Sequence, residues 1–337
     1  MLSKPRLLGI DFARFVAILG MILVHAATDL VMLPQERALD AEVPWPKDPA
    51  WAYWIQVIFA NRARPLFIML AGVGISLLVS RKSIGGLVLV KRAAYLLVLG
   101  VLLLVAGWSD MVLCIYGIMF LFAVVLVRLP TVVLVILTCV LLASPLPYAE
   151  ATEHDAKTIF SIFIVISQIG YFVIGMVIGR MNLNVKSAIS KVAVIGAGLT
   201  LPGWIYLWWV NGSIQVIELK GIWDWIAANV STVGWCFLVL SGCLSVGRST
   251  GRISQWLAPF NVAGGMPLTI YVIHALLYTW LSHQYQFHFG QAMLISLAYI
   301  IFALIATNLW AAKGYKGPLE MLMRVVSGSS PSKPKQI

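Results

Sequence analysis

The sequence predicts an all-α integral membrane protein, a bundle of about ten transmembrane helices with both termini in the cytoplasm. Hydrophobic residues make up 61% of the 337 positions and charged residues 11%, and the mean hydropathy is +0.92. These values exclude an ordinary soluble domain. Apolar runs of spanning length alternate with short polar links, and the basic residues gather in alternate links. No long polar segment interrupts the chain, so residues 1–325 read as a single transmembrane domain. The Ser/Pro/Lys-rich residues 326–337 read as a disordered cytoplasmic tail.

Lys4 and Arg6 precede the first apolar run, Ile10 to Leu33, and place the N-terminus inside. That run lacks the cleavage site of a signal peptide, and Asp11 and Arg14 interrupt its start, so it is read as retained. After a polar connection, 34–49, the second stretch begins at Trp51, is interrupted at Asn61-Arg62-Ala63-Arg64-Pro65, and stops at Arg81 and Lys82. Pro65, Gly72 and Gly74 predict a broken or kinked element that packs closely on its neighbours. Lys91 and Arg92 open a third span ending near Trp108 and Asp110; the fourth and fifth, 111–129 and 131–147, meet at Leu129-Pro130. Further spans follow at 159–179, 192–210, 223–246, 256–281 and 292–312. This topology puts roughly 18 of the 24 Lys and Arg on the cytoplasmic side.

The net charge of +11 is spread over these links and forms no contiguous basic face, so nucleic acid is not an expected partner. The four cysteines, Cys114, Cys139, Cys236 and Cys243, lie in apolar runs without metal-ligand spacing and read as buried thiols. Trp51, Trp54, Trp108, Trp208, Trp209, Trp223, Trp225 and Trp280 fall at the outer ends of spans, as an interfacial belt would. The alternative use is stacking on a sugar-like acceptor at an outer mouth.

The first span carries the chemistry. It holds Asp11, Arg14, His25 and Asp29. At about 100° per residue, the eleven steps from Arg14 to His25 end about 20° from their starting direction, with a rise of roughly 16 Å. Asp11 and Asp29 fall within about 60° of the same line. Ionisable groups inside a membrane face the bundle interior or a wet cavity and mark sites or pathways. An imidazole, with an ordinary pKa of about 6.5, suits general-base work on a hydroxyl or amine. An arginine deeper on the same face can anchor a phosphorylated donor. Asp29, one turn beyond His25, is placed to orient the imidazole. A thin pantetheine thioester with charged phosphates at one end fits such a stripe.

Here the sequence resembles a known group. Arg14 and His25 in DFARFVAILGMILVH resemble the first-helix motif of the membrane acyltransferase superfamily. That superfamily includes the heparan-alpha-glucosaminide N-acetyltransferase-like and acyltransferase-three proteins. RPLFIMLAG, 64–72, is similar to its second-helix signature and PLTIYVIHA, 267–275, to a late-helix motif. GPLEML, 317–322, resembles the closing motif of a bacterial branch. The resemblance implies a catalytic role for His25 and acyl-CoA binding by Arg14. Arg62, Arg64 and His274 are candidate acceptor-binding residues, with an ion pair open for Arg62 and a second base or simple packing open for His274. A metal held by His25 and His274 would lack a third ligand, and none is expected.

Together these features predict transfer of an acyl group, acetyl by expectation, from cytoplasmic acetyl-CoA to an extracytoplasmic glycan or lipid-linked sugar. The short loops fit a bacterial inner membrane. The rival reading is a proton-coupled transporter or flippase using the same polar face.

Overall fold

A computed structural model of the chain describes residues 7–32, 50–81, 85–148, 154–212 and 221–328. The polar connection 34–49 and most of the proposed tail lie outside these residues. The described chain is all helix, with no strand among the described residues. In order the helices are α1 (Leu8–His25), a π-helical segment (Ala26–Met32), α2 (Ala50–Phe59), α3 (Ala63–Arg81) and α4 (Gly86–Val105). Then come α5 (Val112–Leu126), α6 (Thr131–Ala143), α7 (His154–Arg180), α8 (Lys186–Asn211) and α9 (Ile222–Val246). The chain finishes with α10 (Arg252–Gly264), α11 (Pro267–Gln284), α12 (Phe289–Ala312) and α13 (Pro318–Val326).

The apolar runs of the sequence form helix where they are described, and among the described residues seven helical spans are long and apolar enough to cross a bilayer. This is a multi-pass membrane protein. Its side chains say the same: Val105, Val132, Val194 and Trp209 are all more than two-thirds exposed, as lipid-facing residues are. The lengths differ from expectation in two places. The fourth and fifth runs form helices of only 15 and 13 residues, shorter than the roughly 20 a straight crossing needs. The reason lies at their ends, where Ala106–Met111 and Arg128–Pro130 are given to turns. The ninth run is not one rod: α10 and α11 are bent by 64° at the break between them. Pro267 cannot donate to a continuing helix and instead starts a new one.

The chain divides into two compact units. Unit 1 comprises 1–13, 64–84 and 122–251. Small residues hold it together. A side chain on Gly72 would strike the Phe172 carbonyl, and one on Gly175 the Met69 carbonyl, so α3 and α7 run backbone to backbone. Ser76 Oγ then donates to the Met176 carbonyl at 2.8 Å. Without a hydrophobic drive between helices in lipid, such close approach supplies the dispersion contact. Asn229 is drawn into this packing, accepting from the Tyr171 hydroxyl at 2.8 Å, so its Asn-Val-Ser triplet sits within a helix. Arg180 closes α7 by donating to the Leu129 carbonyl at 2.8 Å, as a cation at a helix C-terminus should.

Unit 2 comprises 14–63, 85–121 and 252–337. The π segment packs on α11 and α12. Tyr278 donates to Ser296 Oγ at 2.8 Å and Tyr299 to the Ile270 carbonyl at 2.7 Å, which ties α11 to α12. The start of α11 is held by Glu320 from α13. Its Oε1 accepts from the Leu268 and Thr269 amides at 2.7 and 3.1 Å, and its Oε2 from the Thr269 hydroxyl at 2.6 Å. A buried carboxylate thereby satisfies amides that a helix N-terminus leaves without partners.

Candidate active site

His25 is the last residue of α1 before the helix widens into its π segment. Both of its ring nitrogens are engaged. Nδ1 lies 3.0 Å from His274 Nε2, and Nε2 lies 3.1 Å from Asp110 Oδ2. The latter is a close approach of a carboxylate oxygen to the ring nitrogen rather than an aligned hydrogen bond. The two imidazoles are nearly coplanar, 12° apart, with centroids 5.3 Å apart. With nitrogens only 3.0 Å apart, the rings meet edge to edge along their planes and do not stack face to face. The result is a row in contact: carboxylate, imidazole, imidazole.

Aromatic rings wall this row off. Trp108 stands edge-on to His25 with centroids 5.0 Å apart and donates Nε1–H to the Tyr271 hydroxyl at 3.0 Å. Tyr271 and Tyr278 stand edge-on to His274 at 5.0 and 5.5 Å, and Tyr299 is tilted against it at 6.3 Å. His274 is fully buried, and Trp108 is 2% exposed. Trp108 therefore leaves the interfacial belt in which the sequence placed it, and so does Trp225, which is 7% exposed. Trp54, Trp209, Trp223 and Trp280 remain more than half exposed, as belt residues are. Positive φ at Gly107 turns the chain from α4 into the short loop that carries Trp108 and Asp110.

The other expected residues fall as follows. Arg14 is half-buried in α1, three helical turns from His25 and on the same side. Asp29 is buried, accepts from Thr28 Oγ1 at 2.8 Å, and interacts electrostatically with His25 and Asp110. Its register differs from the sequence expectation, because i→i+5 bonding in the π segment replaces the α spacing assumed there. The carboxylate in contact with His25 is Asp110, which the sequence had marked only as the end of a span. Arg62 is buried in the turn after α2 and donates to the Val57 carbonyl. Arg64 is exposed and belongs to unit 1. His283 and His288 are exposed. Among the described residues no group of three or more His, Cys, Asp or Glu is arranged to hold a metal ion.

The row can move protons. An imidazole accepts at one nitrogen and donates at the other, and a carboxylate beside it stabilises the charged form. In a water-poor aromatic pocket these interactions are stronger than at a surface.

Two protein families match the chain. One, described as a protein of unknown function (DUF418), matches residues 178–329. The other, described as "Heparan-alpha-glucosaminide N-acetyltransferase, catalytic", matches residues 6–203, a span that includes Arg14, His25 and Asp110. No curated protein matches. With more than half of its length matched, and with a buried, carboxylate-paired histidine at the end of its first helix, the chain belongs to the heparan-alpha-glucosaminide N-acetyltransferase catalytic family.

Proposed function

We propose that the protein transfers an acetyl group from cytoplasmic acetyl-CoA to a hydroxyl or amine of an extracytoplasmic glycan or lipid-linked sugar. The observation that carries this reading is His25, an intramembrane imidazole paired with Asp110 in an aromatic pocket, in a chain of an N-acetyltransferase family. His25 acts as the base for the acceptor, and Asp110 stabilises the imidazolium that forms. Arg14, about 16 Å away along α1, anchors the phosphate end of the donor. Asp29 adds negative charge beside the base, and Arg62 and Arg64 serve the acceptor. The basic asymmetry of the links supports cytoplasmic termini and hence donor entry from inside. A bacterial inner membrane is the setting that the short loops favour.

The test uses the full chain purified in detergent. Coenzyme A raises the unfolding temperature where adenosine does not, and Arg14→Ala removes the rise. Acetyl-CoA releases free thiol when glucosamine is supplied as the probe acceptor, and His25→Ala stops it. No CoA-selective stabilisation together with no thiol release would overturn the reading and favour a transporter.

A further inference from the structure

We propose that His274 is a proton-relay partner of His25, so that the two imidazoles work as one base with a single shared proton. This rests on the acyltransferase reading above. The observation is the edge-to-edge contact of two buried, nearly coplanar rings, Nδ1 to Nε2 at 3.0 Å. Such a contact needs one proton between the nitrogens: two facing lone pairs repel, and so do two facing N–H groups. Burial of a polar histidine edge without that bond is costly.

The relay follows from the tautomers. With the proton on His25 Nδ1, His274 Nε2 accepts it, and His25 Nε2 carries a lone pair on the Asp110 side, an arrangement that facing lone pairs disfavour until an acceptor O–H or N–H donates to that nitrogen. Asp110 Oδ2 lies 3.1 Å from that nitrogen, so the acceptor O–H or N–H comes in beside the carboxylate to donate there. As the acceptor's proton reaches His25 Nε2, the Nδ1 proton passes to His274 Nε2. The acceptor oxygen or nitrogen bonds to the acyl carbon, and the thioester C–S bond breaks with its electron pair on sulfur. The shift then reverses, and His25 delivers a proton to the thiolate, giving the CoA thiol and the acylated product. Positive charge rests meanwhile on His274, among Tyr271, Tyr278 and Tyr299. Asp110 and Asp29 are the carboxylates near the pair.

Two residues of the fold serve this pair from a distance. Glu320 fixes the N-terminus of α11, two turns before His274, and Tyr299 holds the Ile270 carbonyl one turn before it. His274 is therefore placed by two contacts on the helical turns that precede it.

The experiment compares wild type with His274→Gln and His274→Phe in the full chain. The Gln carbonyl can accept the Nδ1 hydrogen bond but cannot take the proton, whereas Phe preserves only packing. Thiol release from acetyl-CoA, with glucosamine as the probe acceptor, falls about 10²- to 10⁴-fold in both. Stabilisation by coenzyme A persists in His274→Gln. In both variants the limb of the pH–rate profile that the pair contributes in wild type is displaced to that of a single imidazole. A purely structural role predicts that Gln and Phe differ in stability while the pH profile keeps its shape. Nitrogen-15 NMR of histidine-labelled protein supplies a readout that needs no turnover. A relay pair shows coupled titration of the two rings in wild type, and His25 titrating alone in His274→Gln. Independent titration in wild type, or full activity in His274→Gln, overturns the relay. Loss of CoA stabilisation and of thiol release in wild type itself would overturn the acyltransferase reading instead.

Discussion

The two units are built from the same apolar helices but are held by different forces. In unit 1 the decisive contacts are backbone against backbone, made possible by glycine: Gly72 on Phe172, Gly175 on Met69. In unit 2 they are side chain to side chain or side chain to backbone: Glu320 on the start of α11, Tyr278 on Ser296, His25 on His274. Lipid explains why both solutions exist. Apolar side chains gain little by leaving hydrocarbon, so cohesion comes from close approach or from hydrogen bonds. Unit 1 buries titratable groups too, Asp11 and Asp224 among them, but only unit 2 brings two histidines and a carboxylate together among the described residues, and that is where we place the chemistry.

Perturbing each unit should expose this difference. Gly72→Leu is expected to have the largest effect. It drives a branched side chain into the α7 backbone, and the measurement is loss of monodisperse protein in size-exclusion chromatography. The counterpart in unit 2, His25→Ala, should lower the unfolding temperature but leave the protein monodisperse, and reduce thiol release about 10²- to 10⁴-fold. If Gly72→Leu folded normally, glycine packing would not be what holds unit 1. Next comes Glu320→Ala, which strips three hydrogen bonds from two amides and a hydroxyl. A loss of about 1–3 kcal/mol is expected, read as a fall in unfolding temperature. Glu320→Gln should recover part of it, because the amide keeps one accepting oxygen. Smallest is Ser76→Ala in unit 1, at about 0.6 kcal/mol, the average for a hydrogen bond between membrane helices. A larger effect at Ser76 than at Glu320 would invert the contrast between the units.

Much of this was legible in the chain. Span positions follow from apolar length, and Arg14 and His25 stand out because two polar groups eleven residues apart share a helix face. Local pattern could not reveal partners distant in sequence. His274 lies 249 residues from His25, and no periodicity relates them. Asp110 reads as an ordinary polar end to a hydrophobic run until Gly107 turns its loop inward. The Asp29 expectation assumed α-helical spacing and met a π segment, which sequence seldom announces. The 317–322 motif was visible as a motif, but its work became plain only when Glu320 was found on the amides of Leu268 and Thr269. The structure thus joins it to the 267–275 motif.

That last contact bears on the order in which the protein is made. A ribosome delivers His25 to the membrane first, long before it has synthesised the helix bearing its partner. The partner helix then waits for Glu320 before its leading amides are satisfied. The His25–His274 pair is thus completed only when nearly all of the described chain has emerged. A nascent polypeptide that stops short of Pro267 would carry His25 without the second ring, so the pair cannot assemble until the last described helices have been made.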